Sequence, residues 1–132
     1  MFEPNPKSMV VDDMMTMRKL VIKTLKELKF TDFIEAADGK LAWEALNAAT
    51  PPPGLVISDW NMPNCSGLDF LKRVRGDSRF KTMPFILVTA EAEKTQVAEA
   101  VQAGVSNYVV KPFTPDILKE KLAAVYKRLY GG

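Results

Sequence analysis

SMVVDD, residues 8–13, is a short apolar run that stops on two carboxylates, Asp12 and Asp13. The same construction recurs three times: LVISD at 55–59 ends on Asp59, FILVT at 85–89 on Thr89, and YVVK at 108–111 on Lys111. A briefer run, Phe33–Ile34, falls between the first two. The apolar residues are continuous rather than alternating, the pattern of strands covered on both sheet faces. Segments of helical period separate them. From Thr16 to Leu28, Met17, Leu20, Val21, Leu25 and Leu28 recur at three- and four-residue spacing and predict an amphipathic helix. A second helix is expected over 40–49, with Leu41, Ala42, Ala45 and Leu46 on one face, stopped by Pro51–Pro52–Pro53–Gly54. A third carries Leu68, Leu71 and Val74 after a loop of Asn61, Pro63, Asn64 and Gly67. A fourth runs over 92–103, with Gly104 as its C-cap candidate. The last opens near Pro115, with Ile117, Leu118, Leu122, Val125 and Leu129 on its buried side.

Five apolar runs alternating with helices predict an α/β domain: a five-stranded parallel sheet with five helices, layered on both faces. In such a sheet every strand points the same way, so the strand ends share one rim, where open α/β folds place ligands. Asp12, Asp13, Asp59, Thr89 and Lys111 therefore converge from four strands.

Composition narrows the chemistry. The chain has 132 residues, the size of a single domain, so 1–132 is expected to be one unit. It contains no histidine and one cysteine, Cys65, which excludes His base chemistry, His-ligated metal and a Cys-rich zinc site. A net charge of +2, with both signs mixed along the chain, gives no basic arm for DNA. No apolar stretch approaches the roughly twenty residues of a membrane span, and the N-terminus does not read as a signal peptide, so a cytoplasmic protein is expected.

Three crowded carboxylates repel one another and call for a cation, and an all-oxygen donor set suits magnesium, with manganese as its substitute. A nearby lysine would neutralise further negative charge, and a threonine hydroxyl could donate to a phosphoryl oxygen. A carboxylate is then the nucleophile to expect. Each residue alone has a plainer reading: Asp12 and Asp13 as helix caps, Asp59 as a turn residue, Thr89 as a cap. Lys111 fits such readings least, since a lysine is costly to bury unpaired. The joint placement at strand ends favours a site. Met9, Met14, Met15 and Met17 read as core or gap-filling residues and Trp60 as loop packing, and Gly39–Lys40 lacks the spacing of a phosphate loop.

At these residues the chain resembles the receiver domain of two-component response regulators, over roughly 7–130. The matching stretches are VVDD (10–13), TMRKLV (16–21), KEL (26–28), VISDWNMPN (56–64), GLDFLK (67–72), VTAEA (88–92), QAG (102–104) and YVVKPFT (108–114). The resemblance implies a flavodoxin-like three-layer sandwich with strand order 2-1-3-4-5. It also implies that Asp59 accepts a phosphoryl group from a histidine kinase, with Asp13 holding magnesium directly, Asp12 largely through water, and Asn61 through its backbone carbonyl. Lys111 would pair with the acidic group and then the phosphoryl oxygens. Thr89 would be the switch hydroxyl and Tyr108 the aromatic that swings inward, with Ala92, Glu93, Tyr108 and Lys121 on the output face. Asn61 and Glu91 would tune loss of the phosphoryl group to water, and Lys111–Pro112 would be a cis peptide.

Two departures stand out. Ser66 occupies a position where the family usually has aspartate, which is expected to alter the loop more than the chemistry. Glu93–Lys94 stands where single-domain chemotaxis members commonly carry two lysines, reversing one charge on the output face. The resemblance implies a monomeric chemotaxis regulator signalling to the flagellar motor switch, with a phosphatase as a further expected partner. The alternative is a stand-alone receiver in a phosphorelay or another pathway. A magnesium-dependent phosphatase with an aspartyl intermediate would want a general acid two residues past the nucleophile, where Asn61 stands.

Overall fold

The computed structural model describes residues 7–128 except 63, 91–93 and 112. Strands and helices alternate: β1 (Lys7–Val11), α1 (Met15–Glu27), β2 (Asp32–Ala36), α2 (Gly39–Ala48), β3 (Leu55–Asp59), α3 (Gly67–Gly76), a 3-10 turn (Ser78–Phe80), β4 (Phe85–Thr89), α4 (Lys94–Gln102), β5 (Asn107–Val110) and α5 (Pro115–Tyr126). The sheet is parallel throughout, in the order β2-β1-β3-β4-β5, as expected for the flavodoxin-like sandwich. The chain first winds from β1 outward to β2, then crosses to β3 and proceeds the other way. The crevice between the ends of β1 and β3 is thus the topological switch point.

Two cores cover the sheet. Val10, Ile57, Val88 and Val109 pack with Val21, Leu25, Leu118 and Leu122 of α1 and α5 on one face. Met9, Val11, Val56 and Leu87 pack with Ala42, Leu46, Phe70, Leu71 and Ala100 of α2, α3 and α4 on the other. The three central strands are buried at nearly every position, hence their unbroken apolar runs. Edge strands β2 and β5 are only partly covered.

Caps follow the local sequence. Asp38, Ser66 and Thr114 accept backbone N–H bonds at the starts of α2, α3 and α5, and Pro115 takes the first turn. Gly104 closes α4 at φ +92, with Val105 N–H on the Ala100 carbonyl and Gly104 N–H on that of Val101, a Schellman closure. The same pair of bonds ends α1, but with Lys29 at φ 77 where glycine is usual.

Several helix faces differ from expectation. Leu20, Leu41 and Ile117 are exposed, while Ile22 and Thr24 are buried on α1. In each case the helix rests on the sheet along a narrower stripe than the apolar spacing suggests, so residues at its border meet solvent. Met14 and Met15 are more than half exposed and are not core residues, whereas Met9 is fully buried. Trp60 is buried in the core rather than packed in a loop. Leu129, placed on the buried side of the last helix by its spacing, lies outside the described residues.

Candidate functional site

Strand periodicity builds the site. Val10, Ile57 and Val109 point into the same core. Two residues further along each strand, on the same face of the pleat, come Asp12, Asp59 and Lys111. The lysine Nζ lies 3.5 Å from Asp12 Oδ2 and 3.3 Å from Asp59 Oδ1. Lys111 is held in place by its own N–H, which donates to the Thr89 carbonyl at 2.7 Å. Asp12 N–H donates to the Ala36 carbonyl and Trp60 N–H to that of Val88, so the ladder continues past the strand ends.

Asp12, Asp13 and Asp59 bring carboxylate oxygens within 4.8 Å of one another. Asp12 and Asp59 are buried and Asp13 is exposed. Burial pushes both buried carboxyls above their ordinary range. The Met14 N–H and Lys111 pull Asp12 back, whereas the neighbouring Asp12 charge raises Asp59 further before Lys111 opposes it. One ammonium is thus shared between two desolvated carboxylates, and the cluster is short of positive charge. An all-oxygen donor set with one water-exposed member fits a hard divalent cation such as magnesium. Asn61, exposed in the loop following β3, lies two residues beyond Asp59.

Thr89 is buried at the end of β4, two residues on from Leu87, and Leu87 pairs with Tyr108 in the register. Alternation puts Thr89 and Tyr108 on one face of the sheet, one pleat apart. Tyr108 is half-buried, and Lys121 Nζ lies 5.3 Å from its ring centroid. Glu91, Ala92, Glu93 and the Lys111–Pro112 peptide lie outside the described residues.

Residues matching the response regulator receiver domain run from 9 to 123. The chain belongs to the response regulator receiver domain family. Among receiver proteins it is 51% identical to chemotaxis protein CheY1 of Helicobacter pylori, covering 90% of this chain and 95% of that one. It is 45% identical to chemotaxis protein CheY of Pseudomonas aeruginosa, covering 95% and 99%. The solved structure of the CheY4 chemotaxis response regulator of Vibrio cholerae superposes with a TM-score of 0.81 at 34% identity, covering 90% and 97%.

In this receiver, three contacts around the site were not anticipated from the sequence. Arg18 reaches back from α1, donating through Nη1 to the Asp12 carbonyl at 2.6 Å and through Nε to Glu35 Oε1 at 3.0 Å. Gly67 sits so close to β3 that a Cβ there would lie 2.0 Å from the Asp59 carbonyl oxygen. Asp38 bonds Asn64 across the loop. A basic residue three positions into a helix that starts at the rim is a weak signal for the first. The other two have none in a single sequence. Ser66, where the family usually has aspartate, caps α3 by accepting the Asp69 N–H at 3.1 Å. Serine and aspartate are comparable in that role.

Proposed function

We propose that this receiver is a phosphorylation-activated chemotaxis regulator in which Asp59 accepts a phosphoryl group from a CheA-type histidine kinase. The observation that carries the reading is the pairing of two buried carboxylates with the single ammonium of Lys111. Asp59 Oδ attacks phosphorus in line, the phosphorus–nitrogen bond breaks, and the imidazole departs with its electron pair. Asp12, Asp13, Asp59 and the Asn61 carbonyl would hold magnesium, which supplies neutralisation of the phosphoryl oxygens. Lys111 would follow the new charge, and Thr89 would donate to a phosphoryl oxygen.

The acyl phosphate adds up to about two negative charges at the rim. Moving Thr89 and Lys111 toward them would shift the balance between two arrangements of the face that carries Tyr108 and Lys121, with Ala92 and Glu93 beside it. Water attack, tuned by Asn61 and Glu91, would return the protein to its resting state. The reading takes 1–132 as a single receiver domain, monomeric and cytoplasmic, that binds the flagellar motor switch or another output protein and not DNA. Among the described residues no helix is long and apolar enough to cross a membrane. The chemotaxis assignment draws on the three similar proteins whose names carry it.

The test is incorporation of phosphate from acetyl phosphate with magnesium or manganese. Wild-type protein should take up label and Asp59→Asn should not; incorporation by Asp59→Asn at the wild-type rate and stoichiometry would overturn the acceptor assignment. Beryllofluoride with magnesium should perturb Trp60 fluorescence. Protein locked in that state should retain its output partner in a pull-down, and capture of a protein unrelated to the motor would replace the motor reading with the phosphorelay alternative.

A further inference from the structure

We infer that Asp38 and Asn64 are positioning residues for the candidate metal centre: their hydrogen bond ties Asn64 to the start of α2 and so positions the nearby Asn61 backbone carbonyl beside Asp59. The inference rests on the reading of that centre given above.

The loop leaves the rim immediately after Asp59 and returns as α3. Its base is closed by Gly67 N–H, which donates to the Trp60 carbonyl at 2.8 Å. Met62 and Cys65 pack against the core, whereas Asn61 and Asn64 are both exposed. The exposed side is tied to the start of α2. Asn64 Nδ2 donates to Asp38 Oδ2 at 2.9 Å, and Gly39 N–H donates to the Cys65 carbonyl at 3.2 Å. Gly39 also lies against Cys65 closely enough that a Cβ would sit 2.7 Å from the carbonyl oxygen and from Sγ. Asp38 divides its two oxygens: Oδ1 caps α2 by accepting Leu41 N–H at 2.8 Å, and Oδ2 takes Asn64. The Leu41 bond, then the Asn64 bond, hold the Asp38 carboxyl below its ordinary range, so it is an anion and the Asn64 bond is charge-assisted. Asn64 adopts φ 66, a conformation that asparagine tolerates better than most residues and that aims the loop back toward α2.

Capping α2 needs only one of the Asp38 oxygens. The second reaches a loop 26 positions away that contributes no core side chain at residue 64. What that loop does carry is Asn61, in the stretch between the two pins. Ligand geometry at a metal depends on such outer contacts, which orient the groups that bind.

Three variants separate positioning from stability. Asn64→Gly removes the amide but keeps a residue at ease at positive φ. Asp38→Ser keeps a capping oxygen for Leu41 N–H but does not reach Asn64. The exchange D38N/N64D keeps the cap oxygen and restores the bond with donor and acceptor reversed. Magnesium is titrated against Trp60 fluorescence in a Trp43→Phe background, on unphosphorylated protein, and thermal midpoints are measured without metal. N64G and D38S should raise the half-saturating magnesium concentration about fivefold, the scale of one ordinary hydrogen bond lost. The exchange should return to within about twofold of wild type, and metal-free midpoints should stay close together. Wild-type affinity in N64G and D38S, or failure of the exchange to restore it, would overturn the inference while leaving the acceptor assignment intact. A wild-type protein whose Trp60 ignores magnesium would overturn the metal-centre reading, and the inference with it.

Discussion

At the rim where the strands end, Asp12 and Asp59 are buried, share Lys111, and have carboxyls pushed upward, first by burial. At the other end of the sheet, beside the Pro51–Pro53 loop, Asp77 is matched to a partner of its own. Arg79 donates to it through its backbone N–H, Nε and Nη2, and the carboxyl is held down at about 2, chiefly by the Arg79 side chain. The two ends use the same residue type in opposite ways. Asp77 caps a turn, is fully satisfied, and has no further charge to attract. The rim carboxylates cost stability where they stand, and that unmet demand for positive charge is what makes them a site.

Substitution at Gly67 carries the largest expected effect. A Cβ at this position meets the Asp59 carbonyl, so Gly67→Ala must displace either β3 or the loop. We expect a loss of about 3 kcal/mol in urea or thermal unfolding and loss of magnesium response. A stable protein with normal magnesium binding would show that the rim is far softer than described.

A carboxyl raised on folding binds its proton more tightly in the native state, so stability is fully present below the ordinary value of 3.8 and falls as pH rises through the raised folded values. Asp59→Asn should therefore raise the metal-free thermal midpoint by a few degrees at neutral pH. The gain should shrink as pH falls, and added magnesium should narrow the gap by stabilising wild type alone. A lower midpoint for Asp59→Asn in chelator would contradict the claim that the rim is strained by its charges.

Lys29 offers a stabilising change at the far end. Lys29→Gly should add about 0.5–1 kcal/mol by relieving the left-handed conformation at the end of α1, and should leave phosphate incorporation untouched. The smallest effect belongs to Asp77. Its lowered carboxyl contributes stability above 3.8 that is lost as pH falls toward about 2, so Asp77→Asn should flatten only that acid limb. The two ends thus predict opposite pH slopes, which a set of unfolding curves from acid to neutral pH would resolve.

Asp12, Asp59 and Lys111 were legible from the sequence because each is the polar stop to a buried apolar run. Burial fixes the run, and the pleat then fixes which face the stop shares. The helix borders were less legible: Leu41 and Ile117 have the right period but sit where the contact stripe ends. The Asp38–Asn64 tie left no trace, since two polar residues in separate turns carry no periodicity to link them. The family resemblance supplied strand order and the pairing of Thr89 with Tyr108, neither of which apolar spacing encodes.

In the proposed function, the rim puts a phosphoryl group on one oxygen of Asp59. Reduction of freshly phosphorylated protein with tritiated borohydride converts an aspartyl phosphate to homoserine at the acceptor position, where peptide mapping locates it. Tritium is expected at position 59 and at no other residue. Label at Asp12 or Asp13, or phosphate held in a form that borohydride does not reduce, would contradict it.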